Sequence, residues 1–319
     1  MRRNRWFTGI AILGLLLLIT VGCSKNPAES SDNELENSLK AVVEENADYF
    51  TADGLNDDGA QPINYSTDGL LKSLMPIDPI RFGRKGRFQL ESLNITRNED
   101  GLLEAVVVHS FNGRFFVLAV DSLNPNAVGT LYEKDMKNTI TRRAIFRRMG
   151  RSKQGRTKHH RMNWKLKCIS GSELVSEQTS IMIDQVKIMA TNDSSWTITD
   201  PLNFSMNIDD IPTFQPGDSV KVYVTLQNRN VYSEKPGEIV LLRYRNNRGM
   251  HRARKAFHDD GVYPDETAGD GIYSGMWAIG HRRGVFHAFV DVIDNGTLYD
   301  DTAPYDSRAW GIPYRVHFR

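Results

Sequence analysis

Apolar residues recur at helical spacing over one clear stretch beyond the first two dozen residues. Leu35, Leu39, Val42, Val43, Tyr49 and Phe50 fall at intervals that stack on one face of a helix. Ser31 stands as a capping hydroxyl with Glu34 three residues on, so the pattern predicts an amphipathic helix over 32–50. Asp53-Gly54 supplies its stop. Further on the period changes to two. Residues 88–95, 102–109 and 115–121 read as strands, with Asn98 to Gly101 and Asn112-Gly113 as the turn chemistry between them. Residues 131–150 fit both periods. Leu131, Met136, Ile140, Ala144 and Met149 line a helix, whereas Ile140, Arg142, Ala144, Phe146 and Arg148 alternate along a strand. The strand is favoured, because 164–169 alternates cleanly and makes a partner for it. A further strand is expected at 181–189.

A polar stretch over 191–200 precedes Pro201, and the pattern beyond it is strand after strand: 220–226, 239–245, 251–258, 273–279, 285–294 and 314–318. Short turns separate them, among them Gln215 to Asp218, Asn246 to Gly249 and Asp294 to Gly296. The expected fold class is therefore an α+β first domain over 32–195, one N-terminal helix on a curved antiparallel sheet. An all-β sandwich over 196–319 follows it.

The first 23 residues follow a different rule. Arg2, Arg3 and Arg5 precede an apolar run over 6–21, which Gly9 and Gly14 interrupt and which is short for a membrane span. Gly22-Cys23 closes it, and Ser24 to Pro27 is polar. This segment resembles a bacterial lipoprotein signal with its lipobox, although Thr20 stands where leucine is commonest. The resemblance implies removal of residues 1–22, lipidation of Cys23, a polar tether over 23–31, and a body held at a membrane of the cell envelope. In a Gram-negative cell that membrane is the outer one, facing periplasm or surface. A plain anchor or a cleaved secretory peptide is the alternative. Cys23 and Cys168 are the only cysteines, so no intrachain disulfide framework or cysteine zinc site is available to the body.

Within the second half, the run Phe214 to Val220 and the loop Asp259-Asp260-Gly261 through Asp265 to Ala268-Gly269-Asp270-Gly271-Ile272-Tyr273-Ser274 resemble the immunoglobulin-like and fibronectin-like modules of bacterial surface proteins. The resemblance covers about 205–319 and implies a fold, not an activity. The helix-first outline of 40–195, with the Trp164 to Ile169 strand late in it, resembles the cystatin-like cone of the nuclear-transport-factor-two-like superfamily. That likeness brings no catalytic residue.

Two clusters carry candidate chemistry. Asp259, Asp260, Asp265 and Asp270 lie with Glu266 among three glycines, the hard oxygen ligands and permissive backbone that Ca2+ uses. EF-hand spacing fails, because Ala256 or Glu266 would stand first, and a tight strand-to-strand loop accounts for the same residues. A second acidic run holds Asp291, Asp294, Asp300, Asp301 and Asp306. The second cluster is basic: Arg142, Arg143, Arg147 and Arg148, continuing through Arg151, Lys153, Arg156, Lys158 and Arg161 with His159 and His160. In an envelope setting its anions are phospholipid or glycan groups or an acidic protein, not nucleic acid, and no aromatic platform for bases is interleaved. A solvated hairpin face is the plainer reading.

Nothing matches a nucleophile elbow, a zinc-ligating histidine pair or a phosphate loop. Cys168 reads as a small buried apolar residue. Lysines and arginines number 40 against 39 acids, so net charge selects no partner. The sequence thus points to a non-catalytic, lipid-anchored envelope protein with a binding, adhesion or assembly role. The rivals are a glycan hydrolase with a carboxylate pair and a small-ligand carrier with an apolar pocket behind the 32–50 helix.

Overall fold

The computed structural model describes residues 27–317 apart from 53, 58–76, 99, 122–128, 150–163, 192–193, 231–236 and 246–251. Cys23, the start of the chain and the basic loop from Arg151 to Arg161 lie outside the described residues.

The chain opens with α1 (Pro27–Glu45), breaks at Asn46, and adds one turn, α2 (Ala47–Phe50). The helix begins four residues before the expected cap at Ser31, because Pro27 suits a first turn that needs no amide donor. The last residues of the expected tether are therefore helical. Asn46 folds its side chain back onto the Val42 carbonyl at 2.7 Å, which closes α1.

Fifteen strands follow among the described residues. The first half holds β1 (Ile77–Arg97), β2 (Leu103–Asp121), β3 (Thr130–Met136), β4 (Asn138–Arg148), β5 (Trp164–Ser176), β6 (Ile181–Ala190) and β7 (Ser195–Ile198). The second holds β8 (Ser205–Asn207), β9 (Thr213–Phe214), β10 (Ser219–Asn228), β11 (Glu238–Arg245), β12 (Arg252–Phe257), β13 (Ile272–Ala278), β14 (Gly284–Asp294) and β15 (Ser307–Val316). A five-residue helix, α3 (Asn295–Tyr299), stands where the sequence suggested only a turn; the Asp294 carboxylate caps it by accepting from the Gly296 amide.

The curled large sheet runs β1-β2-β4-β5-β15-β14-β11-β12, with β3, β8 and β9 attached at its sides. A second sheet runs β13-β10-β6-β7. Strands from either side of residue 195 are thus hydrogen-bonded in one sheet: Trp310 of β15 pairs with Glu173 of β5. Likewise β6, before 195, pairs with β10, after it.

The ambiguous stretch forms two strands, β3 and β4, which end at Arg148. The Asn112-Gly113 hairpin is not formed. β2 runs straight through it, and the turn lies at Asn98, whose side chain accepts from the Leu102 amide at 2.9 Å. Gly113 serves another need. It faces Gly86 across the ribbon, and a Cβ there would come within 2.0 Å of the Lys85 carbonyl oxygen. The glycine lets two long strands cross closely rather than turn.

Three apolar clusters fill the body. One lies between the two sheets, with Val222 and Trp277 from one and Val290 and Trp310 from the other. A second holds Phe82, Phe111, Phe115, Leu241 and Phe289. The third lies beneath α1, where Leu39, Val42 and Val43 meet Leu103, Phe146, Leu166 and Ile169.

The second cluster surrounds a chain of buried charges. Asp291 on β14 is fully buried and accepts from Arg84 Nη2 at 2.7 Å and from Arg243 Nε. Arg243 Nη1 then donates to Asp57 at 2.7 Å, and Arg254 donates to the same oxygen at 2.9 Å. Arg84 spends its other donors on the Leu55 carbonyl and the Tyr305 hydroxyl. Burial alone would raise the Asp291 carboxyl; Arg84 and Arg243 reverse that and hold it below the usual carboxylate range.

Removing the shared carboxylate strands two buried cations. Asp291→Ala is expected to cost about 3–5 kcal/mol, read as a lower urea midpoint. Arg114→Ala breaks an ion pair that is more than half exposed and should cost under about 1 kcal/mol. Equal effects would remove Asp291 from its central place.

Candidate functional site

The acidic loop between β12 and β13 brings three of its four predicted carboxylates together. Oxygens of Asp259, Asp265 and Asp270 lie within 4.8 Å of one another, while Asp260 is not in the group. The backbone explains the convergence. Asp259 accepts from the Gly269 amide at 2.6 Å and the Gly271 amide at 2.9 Å. Asp265 accepts from the Gly261 amide at 2.6 Å, and Asp270 from the Ile272 amide at 2.9 Å. Asp260 turns the other way to hold the Val262 amide. Gly261, Gly269 and Gly271 all have positive φ, so each carboxylate closes a turn that its neighbouring glycine permits.

The second acidic run is engaged elsewhere. Asp291 sits in the arginine chain. Asp294 accepts from the side chains of Asn228 and Asn230 as well as the Gly296 amide. Asp300 holds the hydroxyl and amide of Thr302. Asp306 accepts from the amide and hydroxyl of Ser180 through one oxygen, and its other oxygen is buried without a hydrogen bond. Burial raises the Asp306 carboxyl, with Asp294 adding to the effect. These two acids line a pocket of about 300 Å³ with Ser180 and Asn230.

The four predicted arginines do not form one patch, because β4 alternates. Arg142 points into the body with Ala144 and Phe146, whereas Arg143 and Arg147 face solvent, as does Arg148 at the strand's end. Arg142 is 2% exposed, donates to the Tyr49 carbonyl, and lies 2.9 Å from His287 Nε2. An inward guanidinium there pins α2 to the sheet and is closed to a surface anion. Burial lowers it to about 9. Arg143 is held beside Asn203 at 3.2 Å and Glu104 at 3.8 Å. Arg147 lies directly opposite Lys165 across the β4–β5 ladder. With Lys167, these two line a pocket of about 320 Å³ that Asp209 and Asp210 face from the other side. Among the described residues, Arg147, Lys165 and Lys167 make no ion pair.

Several buried polar residues carry no sequence motif. Lys134 places its ammonium among the carbonyls of Ala303 at 2.6 Å, Asp300 at 2.5 Å and Gly296 at 3.2 Å. It thereby ties β3 to the segment after α3, and burial lowers it to about 8 against the pull of Asp300, Asp301 and Asp294. His109 stacks on Phe88 at 4.2 Å, and burial, then Arg142, lower it to about 4. His287 is lowered well below the ordinary imidazole value by burial and by Arg142, and its Nδ1 has no partner. Cys168 sits at the sheet beside Asn207, and burial pushes its thiol up, away from nucleophilic use.

Two measurements follow from this geometry. His109 and His287 are held neutral below the unfolded value of 6.5. The unfolded chain therefore takes up protons that the folded chain refuses, and stability is full above pH 6.5 and lost as pH falls toward 4. Each histidine contributes a slope of about 1.4 kcal/mol per pH unit. Urea midpoints should decline steadily from pH 7 to pH 4.5, and His109→Gln should flatten the decline; a flat profile in the parent would contradict these environments. For the acidic loop, the amide bonds account for its shape without an ion. Millimolar calcium is therefore expected to leave the melting temperature unchanged, and a rise of several degrees would assign Asp259, Asp265 and Asp270 as ligands.

No protein-family model, curated protein or solved structure matches this chain.

Proposed function

We propose that this chain is a lipid-anchored envelope protein whose folded body binds or assembles rather than catalyses. One observation carries the reading: three arginines, a short apolar run and Gly22-Cys23 precede a polar link, and α1 starts four residues after that cysteine. A lipid at Cys23 would place the body directly at a bilayer. Among the described residues no helix is long and apolar enough to cross one.

Support for a binding role comes from how the charged groups are used. Asp291, Arg243, Arg142, His287 and Lys134 direct most of their donors and acceptors to backbone and to buried side chains inside the body, although Arg243 Nη2 and His287 Nδ1 are left without partners. Such groups specify packing and offer little to a substrate. The immunoglobulin-like reading of the second half draws on strand order: β10 and β13, joined by β6 of the first half, lie in one sheet against β12, β11, β14 and β15 in the other, with the Val222 and Trp310 cluster between. The cone likeness of the first half has α1 on the curled sheet in its favour, but that sheet continues beyond β5 into β15.

The hydrolase reading has one observation behind it, the Asp294 and Asp306 pair in a shared pocket with Asp306 raised. It ranks second because both Asp294 oxygens already accept side-chain or backbone donors, and among the described residues the pocket lining holds no aromatic side chain. A carrier would need room. The apolar space lined by Trp196, Phe214 and Trp277 lies between the sheets, not behind α1 where a carrier pocket was expected, and at about 20 Å³ it holds about one water.

Lipid labelling in a bacterial host tests the proposal. The parent should incorporate a tagged fatty acid and lose about two dozen residues from its N-terminus. Cys23→Ser should remain unlabelled and keep its full length. A labelled Cys23→Ser product, or an unlabelled parent found in the cytoplasm, would overturn the anchor.

A further inference from the structure

The direction of α1 on the sheet says which end of the body meets the membrane. Arg142 binds the Tyr49 carbonyl, so the C-terminal end of the helical segment lies over the middle of β4. The cluster beneath α1 then takes Ala144 and Phe146 from β4, and Leu166 and Ile169 from β5. Ile140 and Leu174, on the other side of Arg142, belong to a different cluster. α1 therefore runs back from Tyr49 toward the end of the sheet that carries Arg147, Arg148 and Lys165. Its 19 residues span about 28 Å, and β4 from Arg142 to Arg148 spans about 20 Å. Pro27, where the described helix begins, therefore lies toward that end of the sheet, and four residues of chain reach at most about 14 Å.

Among the described residues, that end is also where Arg147, Lys165 and Lys167 stand without an ion pair. Arg147 and Lys165 oppose each other across the ladder, an arrangement of like charges that strands do not favour by themselves. Lys167 follows two residues on, and Arg148 and Met149 are exposed beside them. Arg97 ends β1 at the same level, since its ladder partner Leu103 pairs with Phe146. Asp209 and Asp210 face them across the pocket, and Glu99 and Asp100 follow Arg97 in sequence, four acids against the five cations Arg97, Arg147, Arg148, Lys165 and Lys167.

We infer that this end of the sheet, through Arg147, Arg148, Lys165 and Lys167, is the face that rests on the bilayer and engages its anionic phospholipid head groups. The inference rests on the lipid-anchor reading. The lipid supplies attachment, and the cations supply orientation. Like charges opposed in one register are tolerable where phosphate groups lie against them. Each cation removed should weaken the surface attraction about fivefold.

The lipidated full chain, reconstituted into vesicles, tests this. A fluorophore is placed by Met149→Cys or by Met182→Cys, both exposed positions. Met182 follows the far end of β5, about 40 Å along that strand from Trp164. Vesicles contain a brominated lipid as quencher, with either one-third phosphatidylglycerol or phosphatidylcholine alone. In the anionic vesicles the label at 149 should be quenched at least twice as strongly as that at 182. The contrast should shrink in neutral vesicles, in 0.5 M salt, and in Arg147→Ala/Lys165→Ala/Lys167→Ala; Asp209→Asn/Asp210→Asn should enlarge it. Equal quenching at both positions, or a contrast indifferent to salt and to the triple variant, would overturn the inference. Failure of the protein to float with vesicles would count against the anchor instead.

Discussion

Asp291 is the carboxylate on which the two halves of the chain depend. It sits in the middle of β14, wholly buried, between a guanidinium from β1 and another from β11. Neither arginine is tolerable alone inside an apolar body, and neither is the aspartate. Together they let the second cluster form around them, with Phe82 stacked under Arg254 at 4.1 Å and Tyr305 closing on Arg84 at 2.9 Å. Asp57 extends the chain of charges. Its backbone pairs with Arg84 at the edge of β1 while its carboxylate holds Arg243 and Arg254. A loop residue, two sheet regions and both halves of the sequence are fastened at one point.

What the sequence made legible was local. The period-two pattern located β10 to β14 but caught only the end of β15, expected at 314–318, and missed the short β8 and β9; the helical spacing of Leu35 to Phe50 located the one long helix among the described residues. Local chemistry also misled where it had two uses. Asn112-Gly113 has turn composition, yet Gly113 is needed for a close crossing against Gly86, and only the partner strand reveals that. Residue 195 separates different patterns, but strand pairing is long-range, so β5 finds β15 across it.

The same holds for the sites. Asp259, Asp265 and Asp270 were readable because the glycines that bend their loop are adjacent to them. Arg142 was grouped with Arg143, Arg147 and Arg148 by sequence proximity, although alternation along β4 sends it to the face opposite Arg143 and Arg147, and Arg148 is exposed only because it ends the strand. Asp291 did leave a signal: a charge between Val290 and Val292 in a run buried on both faces. Its partners Arg84 and Arg243 lie 207 and 48 residues away, too far for any local pattern to pair them. Lys134 is similar, since the carbonyls it gathers all come from 162 to 169 residues downstream.

The place of β15 in the large sheet has a consequence for biogenesis. It is the last strand in sequence order, yet it lies in the interior, between β5 and β14. Until it emerges, both neighbours keep an open edge and the sheet is two separate fragments. Folding that begins in the N-terminal strands therefore leaves the large sheet in two pieces until β15 pairs with both neighbours, so closure waits on a strand far along the chain.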